Sequence, residues 1–375
     1  MISGAVNADL LLGEKESSPD MEYVLGVRVH SPVVLLKTGR TFHAVVSRLE
    51  FNRIASVKGR LRVWCSDSLR LKRGRRGGAA GWAVGLAKTL GIRSVRVDPG
   101  FPLGAAENLR KAHIAVKTAP DGLFPQRAVK TPAELAEIKT SQEAAVIAMR
   151  SAIAKIAESR PDSWGLLRSE KKILTSEGLR QKISRVLLEH DCVCEDTIAA
   201  CGKQSADPHE KGRGPLYAGE PVVIDIFPRH MEHGYWGDLT RTVVRGEASP
   251  ALRAMYRAVR AAQLAGLKAL KAGVKCSTVH RRTRQELERR GYVTVTADEK
   301  AEGFIHGTGH GVGLEIHEHP ILGPGGEQRL KKGNVVTVEP GLYYPGTGGV
   351  RIEDTVAVTS AGYRYLAPCE KTLEI

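Results

Sequence analysis

Short apolar runs with a period of two dominate the first third of the chain. Runs of this kind at 33–36, 42–46 and 94–98 predict β-strands, and the pattern at 81–90 predicts a helix between the last two of them. Strands mixed with helices in this way indicate an α/β domain. The glycine-rich stretch at 74–85 lacks the Gly-Lys-Ser/Thr ending of a phosphate-binding loop, so nucleotide binding is not predicted there.

Longer helical patterns occupy the remaining two thirds. The sequence Thr131-Pro-Ala-Glu134 has the form of a capping box with proline at the first helical position, and it predicts a helix that runs to about residue 159. Further helices are predicted at 179–190 and at 249–273, the latter beginning with a Ser-Pro cap. These helices are separated by strands that carry acidic residues.

Four apolar, strand-like segments each carry an acid. Asp225 lies within an apolar run, Asp238 directly precedes a Thr/Val-rich run, and Glu339 ends the run Val-Val-Thr-Val. Glu353 lies in 350–358, which is predicted to be a single strand. A buried carboxylate is costly unless it is paired or bound to a cation, so the four acids predict one shared cation site.

Three histidines fall within the segment 306–317. Glycines at every second position from 307 to 313 disfavour a helix, in which each would cost about 1 kcal/mol, and favour extended backbone that closely approaches another group. Alternation in an extended chain places His306 and His310 on one side, whereas His317 needs a bend or bulge to join them. Four carboxylates with one imidazole favour two divalent cations over a single tetrahedral zinc.

Positive charge is concentrated in the first third of the chain. Of the formal net charge of +15, residues 1–130 carry 22 Lys+Arg against 10 Asp+Glu, and residues 131–375 carry 34 against 31. The densest run, 70–76, has two interpretations, a nucleic-acid-facing patch or a solvated loop. No aromatic residues interleave with it for base stacking, so the solvated loop is favoured. We expect only weak, salt-sensitive, non-specific binding of nucleic acid.

Cysteine usage and hydropathy favour a cytoplasmic protein. The six cysteines are dilute and irregularly spaced, which indicates reduced thiols rather than a disulfide framework or a zinc knuckle. No apolar stretch approaches the ~18 residues of a membrane span, and the first residues lack the basic region of a signal peptide. We therefore expect a cytoplasmic location and no membrane partner.

The acids and histidines stand in a series of short motifs. These are Asp225…Asp238-x-Thr-Arg-Thr, His306-Gly-Thr-Gly-His310-Gly-x-Gly…His317-Glu, Val-Glu339-Pro-Gly-Leu-Tyr and Arg351-Ile-Glu353-Asp. Together they resemble the motifs of the pita-bread metallopeptidases, which include methionine aminopeptidase, Xaa-Pro aminopeptidase and prolidase. The resemblance implies an α+β pita-bread catalytic domain at 126–375. Order and size imply a smaller creatinase-like α/β domain at 1–125.

The resemblance also implies a role for each ligand-type residue. Asp225 would bind one metal ion, and His310 and Glu339 would bind a second. Asp238 and Glu353 would bridge the two ions. Glu339 would also act as the general base and acid of the reaction. The implied cofactor is a pair of divalent cations, expected to be Mn²⁺, with Co²⁺, Fe²⁺ or Zn²⁺ as alternatives.

Other residues have implied roles in substrate binding. His306 and His317 would hold the substrate and stabilise the tetrahedral intermediate. His209 would line the substrate pocket. Arg351 shares a strand face with Glu353 by alternation, so it is expected to orient that carboxylate through a charge-assisted hydrogen bond.

Two features depart from the family pattern. Asp225 and Asp238 are thirteen residues apart, whereas the family usually has eleven, so a longer hairpin is expected at 229–233. Phe227 stands where the family usually has glycine. Neither departure removes a ligand, but both are expected to alter the wall of the pocket.

The implied activity is that of an exopeptidase that hydrolyses the peptide bond before proline, with a metal-activated water as the nucleophile. The expected partners are a peptide with proline at its second position and a second copy of the chain in a homodimer. Prolidases often carry an arginine just after the third histidine. Here Glu-His-Pro follows His317, which favours an aminopeptidase over a dipeptidase, with Arg329 as a candidate substitute for that arginine.

Two further alternatives remain. One is a peptidase like methionine aminopeptidase, a branch that usually lacks a large N-terminal domain. The other is a non-catalytic binding member of the family with a basic, nucleic-acid-facing N-terminal domain. The complete set of five ligand-type residues argues against this second alternative.

Overall fold

The computed structural model describes residues 7–57, 59–69, 78–170, 172–297 and 300–375. The chain divides into two compact units, Met1–Arg127 and Ala128–Ile375. The arginine-rich run at 70–76 lies outside the described residues, so the expectation about its role stays a prediction.

The first unit is built on a single mixed sheet. Its strands are β1 (Asn7–Gly13), β2 (Val33–Thr38), β3 (Thr41–Val46), β4 (Leu61–Cys65), β5 (Ser94–Val97) and β6 (Ala115–Thr118). Its helices are α1 (Pro19–Leu25), α2 (Arg48–Ala55), α3 (Gly78–Thr89) and α4 (Leu103–Lys111). The strand order is β4-β3-β2-β1-β5-β6, with the pairs β3/β4, β1/β5 and β5/β6 parallel and the others antiparallel. The three predicted strands and the predicted helix of this unit are confirmed as β2, β3, β5 and α3.

Four long helices organise the second unit. They are α5 (Pro132–Ala157), α6 (Ser176–Leu188), α7 (Pro250–Ala269) and α8 (Cys276–Arg289). The predicted capping box is present, because the Thr131 hydroxyl accepts from the Glu134 amide and the Glu134 carboxylate accepts from the Thr131 amide. The Ser249 side chain accepts a hydrogen bond from the backbone at the start of α7 and so caps this helix. The predicted helices are therefore confirmed, although α7 ends at Ala269 and not at 273.

The strands of the second unit form several antiparallel sheets. The larger two have the orders β11-β12-β14 and β18-β17-β19-β22-β23. Smaller pairings join β7-β8-β9, β10-β13, β15-β16 and β20-β21. The bounds are β7 (Arg160–Pro161), β8 (Leu167–Ser169), β9 (Lys172–Ile173), β10 (Cys192–Val193), β11 (Ile198–Cys201), β12 (Pro221–Ile226), β13 (Arg229–His230), β14 (Leu239–Val244), β15 (Val295–Ala297), β16 (Lys300–Glu302), β17 (Gly309–Gly311), β18 (Glu318–Leu322), β19 (Val335–Val338), β20 (Gly341–Tyr344), β21 (Gly348–Arg351), β22 (Asp354–Val358) and β23 (Tyr363–Tyr365).

These elements form two similar halves. In the first half, apolar side chains of α5 and α6 pack with those of β11, β12 and β14 in one buried cluster. In the second half, α7 and α8 pack with β18, β19 and β22 in another. Each half thus covers one sheet with a pair of helices, and each sheet carries two of the four acids at its strand ends. The second unit is α+β, as expected.

The glycine-rich segment forms a very short central strand. Only Gly309–Gly311 is a strand, and it runs between β18 and β19. A Cβ atom on Gly309 would lie 2.1 Å from the carbonyl oxygen of Thr337, and one on Gly311 would lie 2.4 Å from that of His319. The glycines therefore permit the close approach of neighbouring backbone that their spacing predicted.

The prediction of one strand at 350–358 is wrong. The chain forms β21 up to Arg351 and a separate strand, β22, from Asp354. The two strands belong to different sheets, with Ile352 and Glu353 between them. Since the chain changes sheets at this point, alternation along a single strand does not describe the direction of the Arg351 and Glu353 side chains.

A buried ion pair joins the two halves. Arg241 in β14 is 1% exposed, and its Nη2 atom donates to Oδ1 of Asp354 in β22 at 2.8 Å. The guanidinium also donates to the backbone carbonyls of Glu353, Cys369 and Glu370. A buried guanidinium whose donors are satisfied in this way fixes the relative position of the two sheets.

Among the described residues, no helix is both long and apolar enough to cross a membrane.

Arg241→Met is expected to lower the free energy of unfolding by about 3–5 kcal/mol, because it leaves buried acceptors and part of the Asp354 charge uncompensated. Urea denaturation of the purified protein measures the effect. Arg150→Met, which removes an exposed pair with Glu370, is the matched control and should cost less than about 1 kcal/mol. Equal, small losses in the two variants would show that Arg241 does not hold the halves together.

Candidate metal centre

The predicted ligand residues meet at one place between the two sheets. Ligand atoms of Asp238, His310 and Glu353 all lie within 4.8 Å of one another. The Nε2 atom of His310 is 3.1 Å from Oε1 of Glu339 and 3.5 Å from Oδ2 of Asp238. These four side chains therefore form one cluster, although they are up to 115 positions apart in the chain.

Asp225 joins this cluster through Thr240. The Thr240 hydroxyl is 2.7 Å from Oδ1 of Asp225 and 2.8 Å from Oε2 of Glu353. The Thr240 hydroxyl has one proton and donates to only one carboxylate at a time, so both contacts are hydrogen bonds only when the other carboxyl group is protonated and donates to the hydroxyl.

Each acid stands at or near the end of a strand. Asp225 is the penultimate residue of β12, and Asp238 immediately precedes β14. Glu339 immediately follows β19, and Glu353 immediately precedes β22. The apolar strands thus carry the acids inward. Asp225 is still paired within its sheet, whereas Asp238 and Glu353 each stand directly before a strand in their own half.

Burial controls the charge of this cluster. Desolvation, reinforced by neighbouring carboxylates, raises the pKa of Asp238 and of Glu353 well above the usual range. Desolvation also acts to raise the pKa of Glu339, but the hydrogen bond and positive charge of His310 outweigh it and lower that pKa to about 2. In the absence of a cation, the contact between Glu339 and His310 therefore favours the ionised Glu339 carboxylate, whereas burial favours the neutral forms of Asp238 and Glu353.

The donor set fits divalent cations. Glu353 is 1% exposed, and its Oε1 atom has no hydrogen-bond partner within the part of the chain that the structure describes. A buried carboxylate oxygen without a donor is costly, and a cation at this position would satisfy it. A divalent cation would also replace the protons that burial otherwise forces onto Asp238 and Glu353. The chemistry of the site thus favours cations bound through oxygen ligands.

Arg351 binds a different carboxylate from the one predicted. Its Nη2 atom donates to Oδ2 of Asp225 at 2.8 Å, and its Nε atom donates to Thr240 at 3.3 Å. No hydrogen bond joins it to Glu353 among the described contacts. The prediction that Arg351 orients Glu353 directly is therefore corrected, and the physical reason is the change of sheet after Arg351.

His306 is held as a neutral tautomer. Its Nδ1 atom is 2.7 Å from the carbonyl oxygen of Gly307, so Nδ1 carries the proton, and Nε2 accepts from the Tyr343 hydroxyl at 3.0 Å. Tyr343 in turn accepts from Nη1 of Arg351 at 2.8 Å. Burial lowers the pKa of His306 and raises that of Tyr343 to about 12. The close passage of the Tyr343 hydroxyl requires Gly341, where a Cβ would lie 2.3 Å from it.

The remaining predicted histidines surround the cluster. The ring of His317 meets that of His310 edge to face, with 4.3 Å between centroids. His209 is exposed, and the carbonyl of the preceding residue, Pro208, accepts from Nη1 of Arg351 at 3.3 Å, which brings this segment to the edge of the cluster. The chain bends at residues 313–317, between β17 and β18, and this supplies the irregularity that the odd spacing of His317 required.

Sequence reasoning missed three residues that hold the cluster. Thr240 and Tyr343 were within the quoted motifs but had no assigned role. The alternation of Asp238 and Thr240 on one strand face could have indicated Thr240. Gln142 on α5 bonds the backbone of Asp238, and no signal in the sequence points to it because the two residues are 96 positions apart.

Comparison with known proteins agrees with the geometry. A model of Metallopeptidase family M24 matches residues 136–360. The chain belongs to this family. It is 32% identical over 286 residues to the Xaa-Pro dipeptidase of Pyrococcus horikoshii, an alignment that covers 76% of this chain and 75% of the relative. These findings show a metallopeptidase, and hence a hydrolase, of a family that uses divalent metal ions.

Solved structures of the family share the architecture. The prolidase from Pyrococcus horikoshii superposes with a TM-score of 0.80 at 27% identity, covering 98% of this chain and 95% of that one. The X-Pro aminopeptidase from Thermotoga maritima gives the same TM-score at 23% identity, covering 99% and 98%, and shows likeness of fold alone. The expected pita-bread fold with an N-terminal domain is confirmed.

Asp238→Ala is expected to abolish peptidase activity and to lower the bound metal, because Asp238 lies between His310 and Glu353 and its loss removes a carboxylate from the middle of the cluster. Metal content after loading with Mn²⁺, measured with peptide hydrolysis, tests this. Asp196→Ala, which removes an exposed acid of the same unit, is the control and should change neither quantity. Full metal occupancy with wild-type turnover in Asp238→Ala would refute the assignment.

Proposed function

We propose that this chain is an exopeptidase with two divalent metal ions that hydrolyses the peptide bond before proline. The observation that carries the proposal is the cluster of four largely buried carboxylates and one imidazole, in which an oxygen of Glu353 has no partner. The proposed ligands are those implied by the sequence motifs: Asp225, Asp238, His310, Glu339 and Glu353. Mn²⁺ is the proposed metal.

The proposed chemistry assigns one task to the metal ions and the others to the protein. Two divalent cations at this site would supply the charge that lowers the pKa of an attacking water. Glu339 borders the cluster beside His310, and its carboxylate would take up the proton of that water and deliver it to the leaving amine. Burial of the cluster strengthens each of these electrostatic effects.

The histidines are proposed to bind the substrate and not the metal. Among the described residues, the ring nitrogens of His317 make no hydrogen bond, and the residue is exposed beside His310. A free imidazole at this position is available to donate to an oxygen of the substrate. Such a donor stabilises the transition state by roughly 3 kcal/mol. His306 bonds the Tyr343 hydroxyl, and its tautomer is fixed by the carbonyl of Gly307. His209 is proposed to line the same pocket.

Proline specificity is supported by the relatives rather than by the geometry. The Pyrococcus horikoshii relative bears the name Xaa-Pro dipeptidase. We therefore propose Xaa-Pro dipeptides as substrates, with longer peptides as the alternative. Arg329, the candidate for binding a terminal carboxylate, donates to the backbone of Gly273. A homodimer, a cytoplasmic location and a creatinase-like identity for the first domain are further proposals.

Hydrolysis of Ala-Pro, Ala-Pro-Ala and Met-Ala-Ser by the Mn²⁺-loaded protein separates the candidate functions. We expect cleavage before proline, with Ala-Pro preferred. Preference for Ala-Pro-Ala would indicate an aminopeptidase, and cleavage of Met-Ala-Ser alone would indicate a methionine aminopeptidase. Full metal loading with hydrolysis of none of the three would favour a non-catalytic binding protein.

His317→Ala is expected to lower kcat by at least ~10²-fold while the metal content stays near that of the wild type, because the ring acts on substrate and not on metal. Metal analysis of the variant, together with kcat and KM, decides between these roles. His319→Ala, two residues further along and also exposed, is the control. Loss of metal together with activity in His317→Ala would place His317 among the ligands.

A further inference from the structure

Two buried glutamines connect the long helices to the segments that carry the acids. Gln142 in α5 is 0% exposed and Gln263 in α7 is 1% exposed. Placing an amide in the core is costly unless all its polar atoms find partners. Both polar atoms of Gln142 and the Nε2 atom of Gln263 bond groups beside the metal-ligand residues, and neither glutamine has been assigned a part in the reaction described above.

Gln142 holds the backbone of Asp238 on both sides. Its Nε2 atom donates to the Asp238 carbonyl at 2.9 Å, and its Oε1 atom accepts from the Asp238 amide at 2.7 Å. Asp238 precedes β14, so no strand neighbour pairs with it in the ladder. The side-chain amide takes the place of that neighbour and fixes the peptide groups on either side of the Asp238 Cα atom.

Gln263 makes the corresponding contacts in the other half. Its Nε2 atom donates to the carbonyl of Val338 at 3.1 Å and to Oδ2 of Asp354 at 2.9 Å. Val338 immediately precedes Glu339, and Asp354 immediately follows Glu353. One amide group thus ties together the ends of the two strands from which the acids of this half project.

We propose that Gln142 and Gln263 are a matched pair of positioning residues for the metal centre, one supplied by each half. The inference rests on the proposed role of the acids as metal ligands. Each glutamine reaches from the first helix of its half to the residues at the ends of the ligand-bearing strands. Gln142 fixes the backbone of Asp238 against α5, and Gln263 fixes the strand ends beside Glu339 and Glu353 against each other, before any cation binds.

The two glutamines act through the ligands and not on the substrate. A positioning residue affects metal affinity, because ligand residues that are free to move lose conformational entropy when the cation binds. Loss of an outer partner of a ligand typically lowers metal affinity about 10–100-fold. If the glutamine were purely structural, its replacement would lower the stability of the metal-free protein and leave the Mn²⁺ affinity of the folded protein unchanged.

Isothermal titration of the metal-free full chain with MnCl₂ tests the proposal, with the melting temperature of the same samples measured in parallel. We expect Gln142→Met and Gln263→Met, which keep the side-chain volume, to weaken Mn²⁺ binding about 10–100-fold. Ser141→Ala is the matched control, because Ser141 is the buried neighbour of Gln142 and bonds the same segment at the carbonyl of Tyr235. It should bind Mn²⁺ as the wild type does, even if its melting temperature falls.

A second variant guards against loss of folding. Gln142→Asn keeps the amide but shortens its reach by one carbon, so it too should weaken Mn²⁺ binding relative to the wild type. Unchanged Mn²⁺ affinity in the folded Gln142 and Gln263 variants would overturn the proposal, as would an equal loss in Ser141→Ala. Titration with MnCl₂ needs no peptide, so wild-type protein that binds Mn²⁺ without cleaving proline peptides would refute the proposed substrate and not this inference.

Discussion

Four carboxylates gathered in a largely buried site are the constraint on which the second unit depends. Asp225 is offset by Arg351 and Glu339 by His310. Glu353 has no ion pair among the described residues, and Asp238 has only His310, which is 3.5 Å away and is shared with Glu339. Burial therefore drives Asp238 and Glu353 toward the neutral form until a cation binds. A site with two acids so poorly compensated is suited to divalent ions, and relief of the cost of the empty site adds to its affinity for them.

Fixed polar contacts keep the four acids together despite the repulsion between neighbouring carboxylates. Arg241 and Asp354 join the two halves, and Arg241 also holds the carbonyl of Glu353. The amide of Glu353 donates to the carbonyl of Thr240, and the Thr355 hydroxyl donates to that of Asp238. Reciprocal contacts of this kind leave few alternative arrangements, since moving one strand end would leave several buried groups without partners.

Much of the architecture was predictable because its signals are local. The capping box at Thr131, the apolar runs and the glycine spacing around Gly309 each depend on neighbours in sequence, and each is confirmed. The segment 350–358 was mistaken for one strand because a period of two continues through the change of sheet at Arg351. Gln142 was missed because its partner is distant in sequence. The meeting of the four acids was predictable from the cost of burying each of them alone, whereas the individual roles of the ligand-type residues come from their resemblance to a family and stay predictions.

The glycine of the Pro-Gly pair after Glu339 leaves space for a neighbouring side chain in addition to allowing a turn. A methyl group at residue 341 would occupy the space through which the Tyr343 hydroxyl passes toward His306. Because Gly341 has no side chain, the Tyr343 hydroxyl fits beside it and bonds both Arg351 and the neutral ring of His306. The two hydrogen bonds by which Tyr343 connects His306 to Arg351 consequently depend on the absence of a side chain at residue 341.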